Sequence, residues 1–473
     1  MIPITVYANI EEENIPKMPR FSTGPSRREI WSWLFYDFAN TIFSMNILTM
    51  YFAQWVVIDL AMGDLWYAVP YSISMLLTAL VMPALGAASD LLGNRKRLLI
   101  VLSLTCIGSV LIIGVFASLF APGFALVLVC LVLFVLANVS YEGGIVFYNA
   151  LLPQIAGPKN MGKISGWGVA LGYVGAIFGL IAVLPFVEGN VFGINVPGLP
   201  GWGRSGAFIP TALLFLVFAL PAFLWVRKST AIAHGHTTRR GLIRTSFRRV
   251  WDGLRQTRKY PGVLRFLVAD YFFEDAIATI VIFMAIYTEK AMGFSDQAKT
   301  ILFIISTISA VGGSIAWGWL TDKIGPKRAL GLAVCGWIAT LLVVAGTASQ
   351  TVFWFLGSFV GIFLGAVWTS SRALLVGLVP RDVVGQFFGL YSLSGRAAAI
   401  IGPLVWGLVV TLFAAGRDAG DVLLSLAEYL GLADSPTVAA SLNYRLAILV
   451  LACIMAGGLF IFRKVPDRRP SDR

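Results

Sequence analysis

Between Arg97 and Glu142 the chain carries no charged side chain at all. A single bilayer crossing uses about 20 residues, so an uncharged stretch of this length must cross twice or collapse into a core. The turn signal Ala121-Pro122-Gly123 at its centre supports two crossings. The rest of the chain has the same character: 473 residues, 58% hydrophobic, 13% charged, mean hydropathy +0.81. A water-soluble globule needs about twice that charged fraction to cover its surface. The sequence therefore describes a polytopic membrane protein.

Twelve spans are predicted: Trp31–Ile58, Leu65–Ala88, Leu98–Phe120, Phe124–Leu152, Ile164–Phe186, Phe208–Val226, Leu264–Ala291, Ala298–Leu320, Ala329–Thr347, Val352–Leu378, Gln386–Phe413 and Arg445–Phe462. The domain reading is a polar leader (1–30), a first six-helix bundle (31–226), a basic linker (227–265), a second bundle (264–463) and a short tail (464–473). No cleavable signal is expected before the first span. On these boundaries Lys and Arg divide as 29 on one side, 5 on the other and 2 within the membrane. That bias predicts both termini in the cytoplasm. The net charge of +12 is thus a topology signal, and no nucleic-acid partner is expected.

Two hydrophilic turns repeat one another. Gly86, Asp90, Gly93 and Arg95 open the first, and Gly318, Asp322 and Gly325 follow the same G-x-x-x-D-x-x-G-x-basic-basic grammar 232 positions later. Asn149-Ala-Leu-Leu returns as Arg372-Ala-Leu-Leu, and Gly162, Gly166, Gly172 and Gly179 return as Gly385, Gly389, Gly395 and Gly402, at a shift of 223. Two homologous six-helix units are the simplest account. Glycine lets helix ends approach and the chain reverse, and aspartate accepts from helix-terminal amides, so each turn is expected to latch the molecule. The fifth span's small-residue spacings suggest a close helix contact where bundles slide.

The turn pattern resembles the loop between the second and third helices of the major facilitator superfamily. Narrower signatures are Tyr36-Asp37-Phe38-Ala39-Asn40, Phe147-Tyr148-Asn149-Ala150-Leu151-Leu152-Pro153, Ile164-Ser165-Gly166-Trp167-Gly168 and Gly389-Leu390-Tyr391-Ser392-Leu393-Ser394-Gly395-Arg396. Together they resemble the family of the yeast autophagy-related vacuolar amino-acid effluxer and its bacterial relatives. The resemblance implies an all-α fold of two pseudo-symmetric bundles, with the first, fourth, seventh and tenth helices lining a central cavity. It also implies a transporter in a bacterial cytoplasmic membrane. Glu274-Asp275 stands where the family's pattern has Asn-Asp, and Arg396 where lysine is usual, so the substrate need not carry over.

An ionisable group in hydrocarbon costs several kcal/mol, so each one needs a partner or a function. Helix rise places Glu142, Glu274, Asp275 and Arg396 near the midplane and Asp37 about 9 Å in, with Asn40 continuing its stripe. Asn138, Glu142 and Asn149 share one face of the fourth span, and Asp270 and Glu274 one face of the seventh. Acids on both halves and a guanidinium from the eleventh helix suit a zwitterion such as an amino acid, with a protonatable carboxyl coupling transport to protons. Arg396 and one acid could instead form a permanent internal salt bridge. Arg372 either holds Asp322 of the second turn or reaches the substrate. The expectation is a secondary transporter of a small polar solute, exporting it by alternating access. Alternatives are a translocase of lipids or other amphiphiles, and an intramembrane enzyme.

Other signals are set aside. Cys106, Cys130, Cys335 and Cys453 sit singly in apolar runs and read as packing residues. His234 and His236 read as plain linker, and no metal or cofactor is expected. Ser246–Tyr260 reads as a basic interfacial helix. Gly201-Trp-Gly203-Arg-Ser-Gly206 spells GxGxxG outside any βαβ unit and is discounted as a nucleotide site. The partners expected are lipid, a small solute and protons, with the chain acting as a monomer.

Overall fold

The computed structural model describes residues 26–92, 94–227, 255, 257–260, 262–379, 384–429 and 436–467. Within these, the side chains of 83–92, 153, 157–163, 258, 384–386 and 436–437 are outside the description. The leader, His234, His236, Gly93 and most of the expected interfacial helix also fall outside it, as do the side-chain contacts of Gly86 and Asp90.

The first helix, α1, occupies Arg27–Asp59. It begins four residues before the expected Trp31 because Ser26 and Glu29 form a reciprocal cap: Glu29 N–H donates to Ser26 Oγ at 3.2 Å, and Ser26 N–H to Glu29 Oε2 at 3.0 Å. Its turns widen to π-helix over Ser44–Tyr51 and Trp55–Asp59. Next come α2 (Leu65–Leu92), α3 (Arg95–Leu119), α4 (Phe124–Ala156), α5 (Ile164–Glu188) and α6 (Phe208–Trp225). The second half supplies α7 (Val263–Met292), α8 (Asp296–Ile324), α9 (Pro326–Gly346), α10 (Gln350–Leu378), α11 (Val384–Leu412) and α12 (Leu442–Phe462). Among the described residues eleven helices are long and apolar enough to cross a membrane. The twelfth expected span, α7, has spanning length at 30 residues and carries Asp270, Glu274 and Asp275 in its first half.

The backbone is helical from α4 into α5, yet the chain reverses between them. Trp33 stacks on Tyr148 of α4 at 4.2 Å and also lies against Gly168 of α5, which only antiparallel neighbours permit. The start of the first helix lies beside the end of the sixth, and the start of the seventh beside the end of the twelfth. Arg28 sits over Trp225 at the end of α6, and Arg265 at the start of α7 donates to Lys464 O beyond α12. This side is called the terminal face below, and the opposite side the far face.

Glycines set the spacing within each half. A methyl group on Gly168, Gly172, Gly175 or Gly179 would stand 3.1 Å from Trp33 Cζ3, 2.9 Å from Thr41 Oγ1, 2.8 Å from Phe38 Cα and 3.1 Å from Ile42 Cγ2 respectively. All four faces meet α1, so the stripe expected at a sliding seam instead binds α5 to α1 inside one bundle. The mirrored contact is Gly402 of α11 against Asp275 of α7. In the second of the two repeated turns, Gly325 has φ +90° and is followed by Pro326 at the first position of α9, a left-handed step that favours glycine. Gly318 has room to spare, with Thr369 Cγ2 3.8 Å from an added methyl, so close approach is not what requires it.

Between the halves, α2 runs along α11, α5 meets α8, and α1 meets α7 toward the far face. Gly175→Ala is expected to lower the thermal midpoint of the detergent-purified protein, at a cost of about 1–3 kcal/mol of overpacking. Gly166→Ala, facing open space, should leave that midpoint unchanged.

Candidate substrate site and far-face closure

Near the middle of both helices, Arg396 Nε of α11 donates to Glu142 Oε2 of α4 at 3.2 Å. Their side chains keep 20% and 15% of their exposure, so the pair borders open space and is not sealed into packing. It joins one half of the molecule to the other. Tyr71 of α2 lies within electrostatic reach of Glu142.

The remaining expected site residues divide. Asp37 is half-buried on α1, facing α5: a methyl on Gly168 would lie 3.3 Å from its Oδ2. Asn40 is buried with Oδ1 unpartnered among the described residues. Asn138 is wholly buried and donates to Ser74 Oγ at 2.7 Å, tying α4 to α2. Asn149 is exposed. Glu274 is half-buried beside Trp368 and Arg372.

Asp275 is turned away from that group. One residue of helix rotates a side chain by about 100°, and Asp275 Oδ1 accepts from Gly402 N–H at 2.6 Å, one residue before Pro403 of α11. It serves the α7–α11 junction. Arg372 is exposed, and its electrostatic neighbours are Glu274, Tyr391 and, across the halves, Tyr173. No ion pair between it and Asp322 occurs among the described residues. Asp322 itself is exposed on α8, where the neighbouring Thr321 hydroxyl bonds Ser370 of α10 at 3.0 Å. Arg95, of the first turn, donates to Ala150 O at the end of α4 at 2.9 Å.

A second cluster closes the far face. Arg204 extends its guanidinium to Asp59 (2.5 Å), Glu289 (2.5 Å) and Asp296 (3.2 Å). Gly203, at φ +67°, delivers it from the loop onto a short 3₁₀ turn, Arg204–Ala207. Lys299, wholly buried, binds Glu289 (2.5 Å), Asp296 (2.6 Å) and Gln54 Oε1. Gln297 bridges Glu188 and Asn190, each at 2.5 Å. Deeper in the seam, Asp64 accepts from Trp406 Nε1 and Tyr444 Oη, both at 3.0 Å. Burial pushes the Asp64 carboxyl above the usual carboxylate range, against the pull of those two donors. Arg204 with Glu289 and Asp296, Lys299 with Gln54, Gln297 with Glu188, and Asp64 with Trp406 each join the first half to the second. The ion pairs described between the halves thus lie at the midplane and at the far face.

The sequence reading missed this closure. Its one available signal was the sparse set of cations on the far side, Arg204 and Lys299 among them, and Arg204 lay inside the discarded glycine motif.

The family model described as "Vacuole effluxer Atg22 like" matches residues 67–417. The chain is similar to the MFS-type transporter YxiO of Bacillus subtilis (strain 168), 24% identical over 82% of this chain and 89% of that protein. It is also similar to Autophagy-related protein 22 of Coccidioides immitis, 23% identical over 54% of this chain; the match spans 45% of that longer protein. In fold it resembles the nucleoside transporter NupG, with TM-score 0.67 and 13% identity over 93% of this chain and 98% of that one. A bacterial homolog of the human lysosomal transporter Spinster, inward-facing and occupied, gives 0.67 and 15% over 94% and 97%. These relatives are transporters, and the fold is that of the major facilitator superfamily.

Arg204→Ala would leave Asp59, Glu289 and Asp296 facing one another with Lys299 alone. Breaking such a network from one side costs about 3–5 kcal/mol, enough to shift the closed-to-open ratio more than a hundredfold. A cysteine at Ser72, buried in the seam where its hydroxyl bonds Ile400 O, should then react with an impermeant thiol reagent from the far side. In the parent with Arg204 intact it should stay protected.

Proposed function

Because the chain belongs to the vacuole effluxer Atg22 like family of major facilitator transporters, we propose that it exports a small zwitterionic solute, an amino acid or a close analogue. In this reading the two halves rock about the Glu142–Arg396 pair, in exchange for protons. The observation that carries it is the pair itself: one ionic contact, 3.2 Å long, made across the two halves and still partly exposed. A solute with an ammonium and a carboxylate can replace each partner with its own group. Glu142 receives the ammonium, and the Arg396 guanidinium receives the carboxylate in a planar fork. Binding then exchanges one set of charge-assisted bonds for another, so no charge is stranded in the membrane at any stage.

The conformation supports the same reading. With Arg204, Lys299 and Asp64 zipping the far face, this reading has the solute reach the midplane pair from the terminal face. The excess of Lys and Arg on that face favours the cytoplasm of a bacterial cell as its compartment. Loading from within and release beyond the far-face closure is an export cycle. Asp37, Glu274 and Arg372 are assigned to the cavity wall, Asn138 and Asp275 to helix packing, and the Gly318–Gly325 turn to gating. The reading takes the chain as a self-sufficient monomer, performing no covalent chemistry.

Proteoliposomes loaded with a panel of labelled amino acids and subjected to a pH gradient test this directly. At least one amino acid should be released in a gradient-dependent way. Glu142→Gln and Arg396→Ala should each cut that flux by about tenfold or more, the equivalent of one lost charge-assisted bond. Undiminished flux in both variants would reduce the pair to a structural bridge.

A further inference from the structure

The two halves repeat a chemical arrangement that the candidate site does not use. Gly179 meets Ile42 and Asn46 of α1, and its counterpart Gly402 meets Asp275 and Thr279 of α7. A shift of 233 residues carries those two positions of α1 onto the two of α7, and the same shift carries Asp37 onto Asp270. The shift of 223 that relates α4 to α10 carries Tyr148 onto Ser371. Each half therefore sets a carboxyl on its first helix against a hydroxyl on its fourth. In the first half, the position of a methyl on Gly168 lies 3.1 Å from Tyr148 Oη and 3.3 Å from Asp37 Oδ2, so the two groups converge. In the second half the contact is made: Ser371 Oγ donates to Asp270 Oδ1 at 3.0 Å.

Asp270 has no solvent exposure, and its Oδ2 is buried without a hydrogen-bond partner among the described residues. The groups around it do not supply a counter-charge. Its own helix offers Glu274 one turn away, of the same sign, and Tyr271. From α10 come the Ser371 hydroxyl and the exposed Arg372, which makes no ion pair with Asp270 among the described residues. From α11 comes Tyr391. On α12, Gly458 and Phe462 pack on Ala269, Phe272 and Phe273. An ionised carboxylate so placed would carry a full desolvation cost answered by one neutral donor. A metal cation would want about six oxygens around it, and among the described residues the Ser371 hydroxyl is the one side-chain oxygen in hydrogen-bond contact with this carboxyl. The proton is the cation this geometry fits.

We propose that Asp270, held by Ser371 and echoed by Asp37 beside Tyr148, is the group that takes up and releases the coupling proton. It lies about 10 Å in from the terminal end of α7. Glu274, half-buried one turn nearer the midplane and within reach of the exposed Arg372, connects it to the open side of the cavity. Protonation discharges α7 where it packs on α10 and α11, and deprotonation restores a charge that only a rearranged, wetter packing can hold. The assignment rests on the transport reading for the use of the proton, while its test needs no cargo.

The test uses the full-length protein reconstituted in lipid. The carboxylic-acid C=O infrared band, sensitive to deuterium exchange, is followed across a pH titration. Asp270→Asn should remove one titrating acid band that the parent and Glu274→Gln both keep. Ser371→Ala, a milder change that keeps the carboxyl, should retain the band and raise its midpoint by about one pH unit, since a donor favouring the carboxylate is gone. An undiminished set of titrating bands in Asp270→Asn, an unmoved midpoint in Ser371→Ala, or a band that answers to sodium at fixed pH would overturn the assignment. If Asp270→Asn does not fold, the Ser371→Ala midpoint decides. Absence of amino-acid flux would remove the zwitterion reading and leave these bands where they are.

Discussion

A charge inside some 30 Å of hydrocarbon persists only where another charge or a pocket of water answers it. In this chain that requirement decides where the two halves touch. Glu142 of α4 is answered by Arg396 of α11 at the middle of the bundle, and Arg204 and Lys299 are answered by Asp59, Glu289 and Asp296 at the far face. Apolar packing holds each half together, as the glycine face of α5 against α1 illustrates. Between the halves, polar bridges run beside apolar contacts such as Tyr67 with Phe283 and Gly407 with Leu65 and Ala68. Because polar bridges can be exchanged for water or solute at modest net cost, the proposed rocking would open the seam between halves and keep the interior of each half packed.

The two halves share a plan and differ in charge. The pseudo-equivalent positions Gly179 and Gly402 both press a helix onto its neighbour. Around Gly179 the polar partner is Asn46, which donates to Gly179 O at 3.1 Å; around Gly402 it is Asp275, which accepts from Gly402 N–H. Each keeps the close approach and reverses the direction of the hydrogen bond. Asp37 and Asp270 diverge similarly, the first half-buried and the second sealed.

Much of this was legible in the residues. Hydropathy and turn chemistry located twelve helices, and the repeat of glycines gave two bundles. Counting turns from the helix ends put Glu142 and Arg396 at one depth, where they meet. What eluded the sequence was partner choice. The stripe Gly168, Gly172, Gly175 and Gly179 announces a close helix contact, yet nothing in its spacing says whether α1 or the opposite bundle fills it. Asp275 looked like a cavity group because helix rise put it at the depth of Glu274; a single residue of helical rotation sends it to α11 instead. The far-face closure gathers Gln54, Asp59, Glu188, Arg204, Glu289, Asp296 and Lys299 from segments up to 245 positions apart. No local period encodes such a set. Gly318 marks the opposite limit, a motif glycine whose surroundings leave room for a side chain.

In the proposed cycle the far face and the terminal face open in alternation about the midplane pair. Spin labels at Ile194 and Val422, exposed beyond the far face on opposite halves, and at Arg97 and Lys323, exposed at the terminal face, would read both gaps by pulsed dipolar spectroscopy in lipid. A single short far-face distance should accompany every long terminal-face distance, with the two changing in opposite senses across a pH titration. Distances that shift together, or that both stay fixed throughout, would contradict it.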